Sequence, residues 1–504
     1  MIKDVEVSTK IQTSNMFINA NSISLSNNVN QMNNLFPNTK NTKRQIIDEI
    51  KKTIPLKLEQ LPFISYHIKI LFLIFFTFIL SGYEYSIIYS TDKYMKLCFF
   101  IANIIGAAIF NMITLFDTRQ LSFFILLVIY TLTVIASFTL ANRNEGIYQY
   151  VIIIIKGISI CGGSYICLFP YIAITIQTRF RGTISMIIIV VPFYLGMIWK
   201  YLESKYLMNL FLSFNSIVSK VYILFPILIS LPLLLLKSWL SESPRILILS
   251  GKYKTASEMI QSLENIYLKR LGSNRSNKSN ELASLPNLMF AEKTLRLNDL
   301  VKCFKYEKGK CLYIMSLLIF SFLMNDCILH RLIVTNKSIY SVDTTIIVYI
   351  CIILGGLIFS LFINKLSTKI YYMIYCIVIL LILATFVILF EIKGRETNSL
   401  IIYVIISISS LGVPFSFSFH LVASELYPME NREQALTVYY IIRLLFSIGN
   451  CFISVNISMK IVILIAFVYC ILLCVVIFRF GISTNGKSIE VITKDFNFGE
   501  YLRF

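Results

Sequence analysis

One apolar stretch near the C-terminus carries a stripe of polar residues with the spacing of a helix face. Tyr440, Arg443, Ser447, Asn450 and Ser454 recur three or four positions apart, so an α-helix would present them together. A guanidinium offers a planar fork of N–H donors that fits a carboxylate, phosphate or sulfate. The stripe therefore predicts an anion-binding face in a central cavity. The alternative is that Arg443 is a structural residue, paired with an acidic residue on another helix.

Other ionisable residues also lie inside apolar stretches, where a charge is costly unless it faces a cavity or a partner. Asp326 would pair with Arg443 or Lys156, or bind a coupling proton. Glu84 is interpreted as a residue of the cavity rim, and His420 as a helix-packing residue. The predicted substrate-binding residues are Arg443, Tyr440, Ser447, Asn450, Lys156 and Asp326.

The composition is that of a protein embedded in a membrane. Of the 504 residues, 57% are hydrophobic and 14% are charged, and the mean hydropathy is +0.74. Soluble domains are about 45–50% apolar and about 25% charged. The formal net charge is +19, with basic residues in the N-terminal tail, the central linker and short loops. This distribution is typical of topology determinants that face the cytoplasm, and it does not favour nucleic-acid binding.

The sequence contains no pattern typical of a catalytic or metal site. Most of the eleven cysteines stand alone in apolar stretches without CxxC spacing, so neither a zinc site nor a disulfide framework is predicted. Three histidines are too few to indicate a metal cluster. No Walker motif is present, so any pumping would be secondary. We expect neither enzymatic activity nor a cofactor.

Apolar stretches of about 20 residues, the length that a membrane helix requires, recur along the chain. A polar segment at 241–310 divides them into two sets of six. This pattern predicts an all-α membrane protein with twelve transmembrane helices in two six-helix bundles, 63–240 and 311–480, joined by a cytoplasmic helical linker. The tails, a disordered 1–62 and a short 481–504, are also placed in the cytoplasm. The predicted spans are 63–83, 97–116, 121–140, 147–172, 183–200, 217–237, 311–333, 344–363, 370–390, 399–424, 435–457 and 460–480.

The start of the linker carries a recognisable motif. Ser241-Glu242-Ser243-Pro244-Arg245 follows the sixth span, and GKYKTA begins at Gly251. Pro244 breaks the helix, while Glu242 and Arg245 could pair or bind carbonyl groups at helix ends. The pattern resembles the PESPR…G+…A signature of major facilitator transporters, in the branch of sugar porters, organic-ion transporters and synaptic-vesicle-2-like proteins. Amphipathic linker helices are predicted near 254–270 and 288–308.

Two pairs of loops extend the resemblance and indicate an internal duplication. The loop from Ser360 to Lys369 is similar to the family's G-x-x-x-D-R/K-x-G-R-R/K loop, and its first-half counterpart at 117–119 is degenerate. Glu425 to Arg432 matches E-L-[FY]-P-x-x-x-R, and these two residues can pair with each other or with the facing half. In the first-half version Ile174 replaces the acidic residue, so that ion pair should be missing or replaced. The resemblance implies gating by Glu425, Arg432, Arg181, Glu242, Arg245, Asn364, Lys365 and Lys369.

The sugar-binding residues of the family are largely missing. Ile189 stands where sugar porters have a glutamine, and the QQ-x-x-G-x-N signature is absent. Gly412-Val413-Pro414 retains only the helix break of the family's G-P-x-P-W. Many members carry an arginine one turn before Lys156, where this chain has Ile153. Hexose transport is therefore disfavoured.

The sequence predicts a secondary active or facilitative transporter of a small polar organic solute, an organic anion, by alternating access. The alternatives are a sugar or polyol transporter, or a non-transporting scaffold or receptor on the same fold. The expected partners are the small-molecule substrate, a coupling proton or cation, and the lipid bilayer. The protein is expected to be a monomer in the plasma membrane or an internal membrane.

Overall fold

The computed structural model describes residues 65–89, 92–116, 119–140, 146–207, 224–249, 252–270, 308–330, 344–393, 406–427, 432–453 and 459–484, which are almost entirely helical. The N-terminal helices are α1 (Ser65–Tyr85, then the turn Ser86–Tyr89), α2 (Lys93–Phe116), α3 (Arg119–Leu140), α4 (Gly146–Lys156, Gly157–Gly163 and Ser164–Thr175), α5 (Thr178–Leu202, then Glu203–Leu207) and α6 (Leu224–Leu235, then Leu236–Trp239). The linker carries α7 (Pro244–Leu249) and α8 (Tyr253–Arg270). The C-terminal helices are α9 (Lys308–Ser321 and Phe322–Leu329), α10 (Thr344–Ile363), α11 (Thr368–Lys393), α12 (Ile408–Gly412, Val413–Ser416 and Ser418–Leu426), α13 (Arg432–Ile453) and α14 (Met459–Phe480).

Each predicted span coincides with one of these helices. Ten of the described helices are long and apolar enough to cross a membrane, and α6 is a shorter apolar helix. The remaining membrane helix, α12, is irregular around Pro414: a π-helical segment ends at Gly412, and Phe417 forms a turn between two α-helical segments. The protein is therefore a multi-pass, all-α membrane protein. Parts of the predicted spans, at 63–64, 217–223, 331–333, 399–405 and 454–457, lie outside the described residues.

The membrane helices form one compact unit in which the N-terminal and C-terminal halves pack on each other. Across the halves, α5 packs against α10 and α2 against α13. Within the halves, α1 packs against α5 and α10 against α12. Glycine permits this close approach: a Cβ on Gly82 would lie 1.9 Å from the Phe193 carbonyl oxygen, and one on Gly355 would lie 1.7 Å from that of Ser410.

Helices that reach the centre of the bundle are irregular. Gly157–Gly163 in α4, Phe322–Leu329 in α9 and Ile408–Gly412 in α12 are π-helical. A π-helical turn inserts an extra residue and changes which side chains face a neighbour, and such turns are frequent at functional sites. These three helices therefore direct polar side chains inward from otherwise apolar segments.

The linker helices α7 and α8 belong to a second compact unit. Leu247, Ile248, Tyr253, Ala256 and Ile260 form its buried apolar cluster. Helix α8 lies where the first amphipathic linker helix is predicted. The second predicted linker helix, at 288–308, and both predicted tails except 481–484 lie outside the described residues.

Candidate functional site

A small cavity lies between the two halves of the bundle. Its volume is about 60 Å³, which is room for about four water-sized spheres. Helices α1, α4 and α5 line it from the N-terminal half, and α9, α12 and α13 from the C-terminal half. Among the described residues its charged lining groups are Asp326 and Arg443, and its tyrosines are Tyr85, Tyr165, Tyr194 and Tyr440. The cavity thus combines one cation and one carboxyl group with aromatic walls.

Arg443 is 8% exposed and faces this cavity. Its Nη1 lies 3.3 Å from His420 Nε2, and its Cζ lies 5.7 Å from the centre of the Phe419 ring. Within the described part of the chain it forms no salt bridge, and its buried Nε has no hydrogen-bond partner. Because a guanidinium only donates, His420 Nε2 accepts the bond from Nη1. Arg443 therefore has donors left for a ligand, and the structural ion pair of the alternative interpretation is not formed among the described residues.

Asp326 is held by the helix that carries Arg443. The Ser447 hydroxyl donates to Asp326 Oδ2 over 2.5 Å, and Asn450 Nδ2 donates to the Asp326 carbonyl oxygen over 2.7 Å. The polar residues predicted on one face of α13 therefore have two different roles. Tyr440 and Arg443 line the cavity, whereas Ser447 and Asn450 fix α9 against α13.

His420 connects the two halves at the cavity. The side chain is 2% exposed, and its Nδ1 forms a hydrogen bond with the Tyr165 hydroxyl. The Tyr165 ring also stacks on Tyr440, with ring centres 4.1 Å apart and planes at 13°. Tyr165 belongs to the N-terminal half, and the other two belong to the C-terminal half. His420 therefore packs between helices as predicted, but it also bonds directly to the proposed anion-binding group.

Lys156 lies in a separate polar site within the N-terminal half. Its Nζ is 2.9 Å from Glu84 Oε1, and the Tyr130 hydroxyl donates to the same oxygen over 2.9 Å. Lys156 does not line the cavity, and it pairs with Glu84 rather than with Asp326. Glu84, interpreted from the sequence as a rim residue, is the partner that compensates this charge.

Two ion pairs join the halves at the end of the bundle where the loops after α2, α4, α10 and α12 lie, here called the motif end. Arg181 Nη1 is 3.9 Å from Glu425 Oε1, with side chains only 2% and 6% exposed. Arg119 pairs with Glu433, with side chains 4% and 9% exposed. The sequence predicts that Glu425 pairs with Arg432 or with the facing half, and the structure shows the facing half. Glu433 was not predicted, and it supplies a carboxylate where Ile174 cannot.

Two further predicted gating residues bind backbone groups at the motif end. Glu242 Oε1 accepts the backbone N–H of Arg119 over 2.5 Å and so caps the first turn of α3. Arg432 donates from Nε and Nη2 to the Tyr427 carbonyl oxygen over 3.2 and 2.8 Å. Both side chains therefore hold helix ends in place beside the ion pairs.

The loop between α10 and α11 docks on the start of α5. Asn364 Nδ2 donates to the Arg179 carbonyl oxygen and to Thr183 Oγ1, both over 2.9 Å. The Thr183 hydroxyl in turn donates to the Ser360 carbonyl oxygen over 2.8 Å. A Cβ on Gly182 would lie 2.6 Å from Asn364 Oδ1, so glycine is needed for this contact. The second-half loop motif therefore forms an inter-half contact.

The remaining predicted gating residues lie elsewhere. Lys365 is exposed and covers Phe362 at 5.4 Å, and Lys369 covers Phe478 at 5.6 Å. Arg245 belongs to the linker unit, where its side chain is 2% exposed.

The halves also touch at the opposite end of the bundle. Lys96 Nζ on α2 lies 3.2 Å from His330 Nε2, and Lys93 Nζ lies 4.4 Å from the centre of the Phe452 ring on α13. The described halves are therefore in contact at both ends of the bundle, and the small cavity lies between them.

Sequence reasoning missed Tyr165, Glu433 and the position of His420. His420 and Arg443 are 23 residues apart on different helices, so no periodic pattern relates them. Glu433 directly follows the matched E-L-[FY]-P-x-x-x-R motif and was the available signal for the second ion pair. Only the packing of α4, α12 and α13 brings Tyr165, His420 and Arg443 together.

No known protein-family profile matches the sequence, and no curated protein matches it. Solved structures do match. The major facilitator proton:xylose symporter XylE bound to 6-bromo-6-deoxy-D-glucose has a TM-score of 0.61 and 14% identity, covering 89% of this chain and 99% of that chain. The inward open conformation of the xylose transporter XylE from E. coli has a TM-score of 0.53 and 16% identity, covering 88% and 99%. At this identity the likeness shows the fold alone: the chain has the major facilitator fold.

Proposed function

We propose that this protein is a secondary transporter that moves a small polar organic anion across a membrane by alternating access. The membrane-length helices, the major facilitator fold and the cavity between the two halves support transport as the general function. Both termini and the linker are placed in the cytoplasm by the positive-inside rule.

The observation that carries the anion assignment is the state of Arg443. Its guanidinium is buried in the cavity wall, forms no salt bridge within the described residues and keeps an unpartnered Nε. Asp326 lines the same cavity but forms no salt bridge with Arg443, so a ligand carboxylate, phosphate or sulfate could bind the guanidinium directly with a fork of hydrogen bonds. The surrounding tyrosine rings suit an organic body attached to that group.

The inter-half contacts indicate how access would alternate. The Arg181–Glu425 and Arg119–Glu433 pairs, with the Asn364 contact, close the motif end. Opening toward the cytoplasm requires these contacts to break, while the contacts of Lys93 and Lys96 close the opposite end. A ligand that stabilises one arrangement of the halves shifts this equilibrium by its difference in affinity for the two states.

A sugar or polyol is the second candidate substrate class. Its support is the XylE likeness, because that protein is described as a proton:xylose symporter. The cavity also offers Asn325 and several tyrosine hydroxyls. Against it, Asn325 Nδ2 already donates to Ser416 Oγ over 2.6 Å, and a neutral polyol would bring no negative charge to the Arg443 guanidinium.

The test is ligand binding and uptake by the purified full-length chain. We expect benzoate, succinate or methyl sulfate to stabilise the protein thermally and to enter proteoliposomes, and we expect xylose and mannitol to do neither. Arg443→Ala should abolish both effects, whereas Arg479→Ala, which removes an exposed arginine at the end of α14, should preserve them. Stabilisation by the polyols alone would favour the sugar class, and absence of any uptake would favour a non-transporting protein.

A further inference from the structure

We propose that His420 is the coupling-proton site of this transporter and that it takes up a proton from solution when an anion binds Arg443. This inference rests on the proposed anion transport and goes beyond it, because it names the coupling ion, the residue that carries it and the order of events. Three relationships among described side chains carry it.

The first relationship is the hydrogen bond between Arg443 Nη1 and His420 Nε2, in which only one of the two nitrogens can be the donor. Arg443 Nη1 lies 3.3 Å from His420 Nε2 and must be the donor, so the ring nitrogen is unprotonated in this arrangement. The proton of the neutral ring then resides on Nδ1, which donates to the Tyr165 hydroxyl. In the described conformation His420 is therefore a neutral base that occupies one of the donors of Arg443.

The second relationship is what an anion would change. A carboxylate or sulfate bound at Arg443 competes with His420 for Nη1 and places negative charge beside the imidazole. A proton on Nε2 would then face the anion instead of a cation, so ligand binding and protonation favour each other. The bond from Nδ1 to Tyr165 is kept in both states, because both nitrogens donate in imidazolium. The ring needs only to turn Nε2 from the arginine toward the ligand, where Nε2 takes up its proton.

The third relationship is the bond from this histidine to the opposite half. Tyr165 lies on α4, while His420 and Arg443 lie on α12 and α13. A proton bound by His420 and an anion bound by Arg443 would therefore affect the hydrogen bond between His420 and Tyr165, which joins the two halves. The Tyr165–Tyr440 stack, with ring centres 4.1 Å apart, strengthens the same contact.

Few other groups around His420 could bind the coupling proton near neutral pH. The elements packed against its segment bring Tyr165 from α4, Tyr194 from α5, Asp326 from α9, and Tyr440 and Arg443 from α13, with Tyr85 and Cys161 also lining the cavity. Arg181 and Glu425, farther along α5 and α12, are committed to each other. Tyrosines and thiols ordinarily titrate near 10 and 8.5, and arginine above 12. Asp326 is thus the main competitor for a proton near neutral pH.

The experiment measures protons taken up per anion bound. Titration calorimetry of the purified chain with benzoate, succinate and methyl sulfate at pH 7.5 is run in two buffers of different ionisation enthalpy. These probes are fully ionised there, so any proton uptake belongs to the protein. The wild-type protein should take up about one proton per anion, and its affinity for the anion should increase as the pH falls. His420→Gln and His420→Asn should bind more weakly, with proton uptake near zero and affinity that no longer depends on pH.

Asp326→Asn is the matched comparison, because it removes the competing carboxyl group from the same cavity. Its anion affinity should change, because Asp326 lines the cavity, but each anion that binds should still bring about one proton with it. Anion binding by the wild type without proton uptake would overturn the inference while leaving the anion site intact. Uptake that survives in both histidine variants, or that disappears in Asp326→Asn alone, would also overturn it. Failure of the wild type to bind any of the three anions would instead refute the proposed anion transport.

Discussion

Arg181 and Glu425 form a buried ion pair that joins the two halves of the bundle, with 3.9 Å between Nη1 and Oε1. Arg181 stands at the start of α5 and Glu425 near the end of α12, so the pair spans the motif end. A buried pair stabilises the arrangement that contains it chiefly because separating it leaves two charges without partners. It therefore fits a contact that, in the proposed alternating-access mechanism, forms in one state and breaks in the other.

Glu425→Gln should shift the protein toward a state open at the motif end. Breaking a buried pair by changing one partner commonly costs about 3–5 kcal/mol, and here that cost would fall on the closed state. Cys161 lines the cavity and is a natural reporter. Its alkylation by an impermeant maleimide, quantified by mass spectrometry in inside-out vesicles, should increase.

Two variants control for this experiment. Lys365→Ala changes an exposed residue of the same end and should leave Cys161 labelling at the wild-type level. Exchanging the two charges, with Arg181→Glu and Glu425→Arg together, should restore protection. Unchanged labelling in Glu425→Gln would show that the pair does not hold the motif end closed.

Arg443→Lys should recover only part of the function that Arg443→Ala loses. Lysine keeps the positive charge but offers no planar fork, so the bidentate contact with an anion is lost. We expect anion affinity about 10-fold or more below that of the wild type, which is on the order of 1.4 kcal/mol. The measurement is calorimetric affinity of the purified variants.

A folding measurement separates this prediction from a structural role of Arg443. Arg443→Ala should keep the wild-type chromatographic profile and reach the same membrane. If it instead misfolds, and Asp326→Asn combined with it restores folding, Arg443 was a partner of that carboxyl group and the anion assignment loses its support.

Gly355→Ala should destabilise the C-terminal half. A Cβ there would lie 1.7 Å from the Ser410 carbonyl oxygen, so α10 and α12 would have to move apart. Overpacking of this kind typically costs about 1–3 kcal/mol. The midpoint of thermal unfolding in detergent should fall. Gly449→Ala is the matched control: outside its own helix backbone, no atom of the described residues lies within 4 Å of its added Cβ, so its midpoint should be unchanged or slightly higher.

Ser276→Cys should react with a thiol reagent only from the cytoplasmic side. The prediction rests on the basic residues of the linker and the N-terminal tail, which the positive-inside rule places in the cytoplasm. An impermeant maleimide should label this position in permeabilised cells and not in intact ones. Labelling of intact cells would show that the linker faces the outside and that the predicted topology is wrong.

The membrane helices could be predicted from the sequence because each helix forms its backbone hydrogen bonds within its own segment. About 20 apolar residues must form a helix to bury their backbone polar groups in lipid, whatever the neighbouring helices do. An irregular helix around Pro414 follows in the same way, since proline lacks the N–H that a regular helix needs. The short loops with small and charged residues were also visible, and Asn364 and Glu425 do contact the facing half.

The partners of the polar residues could be decided only by the tertiary structure. Periodicity placed Tyr440, Arg443, Ser447 and Asn450 on one helix face, but the packing of α9 took the last two and left the first two to the cavity. Likewise, Lys156 is paired with Glu84, and His420 lies beside Arg443. The reason is physical: a helix pattern specifies the direction of a side chain around one axis, whereas hydrogen bonds and ion pairs depend on distances between axes. Those distances are set by glycines, π-helical turns and side-chain volumes on several helices at once.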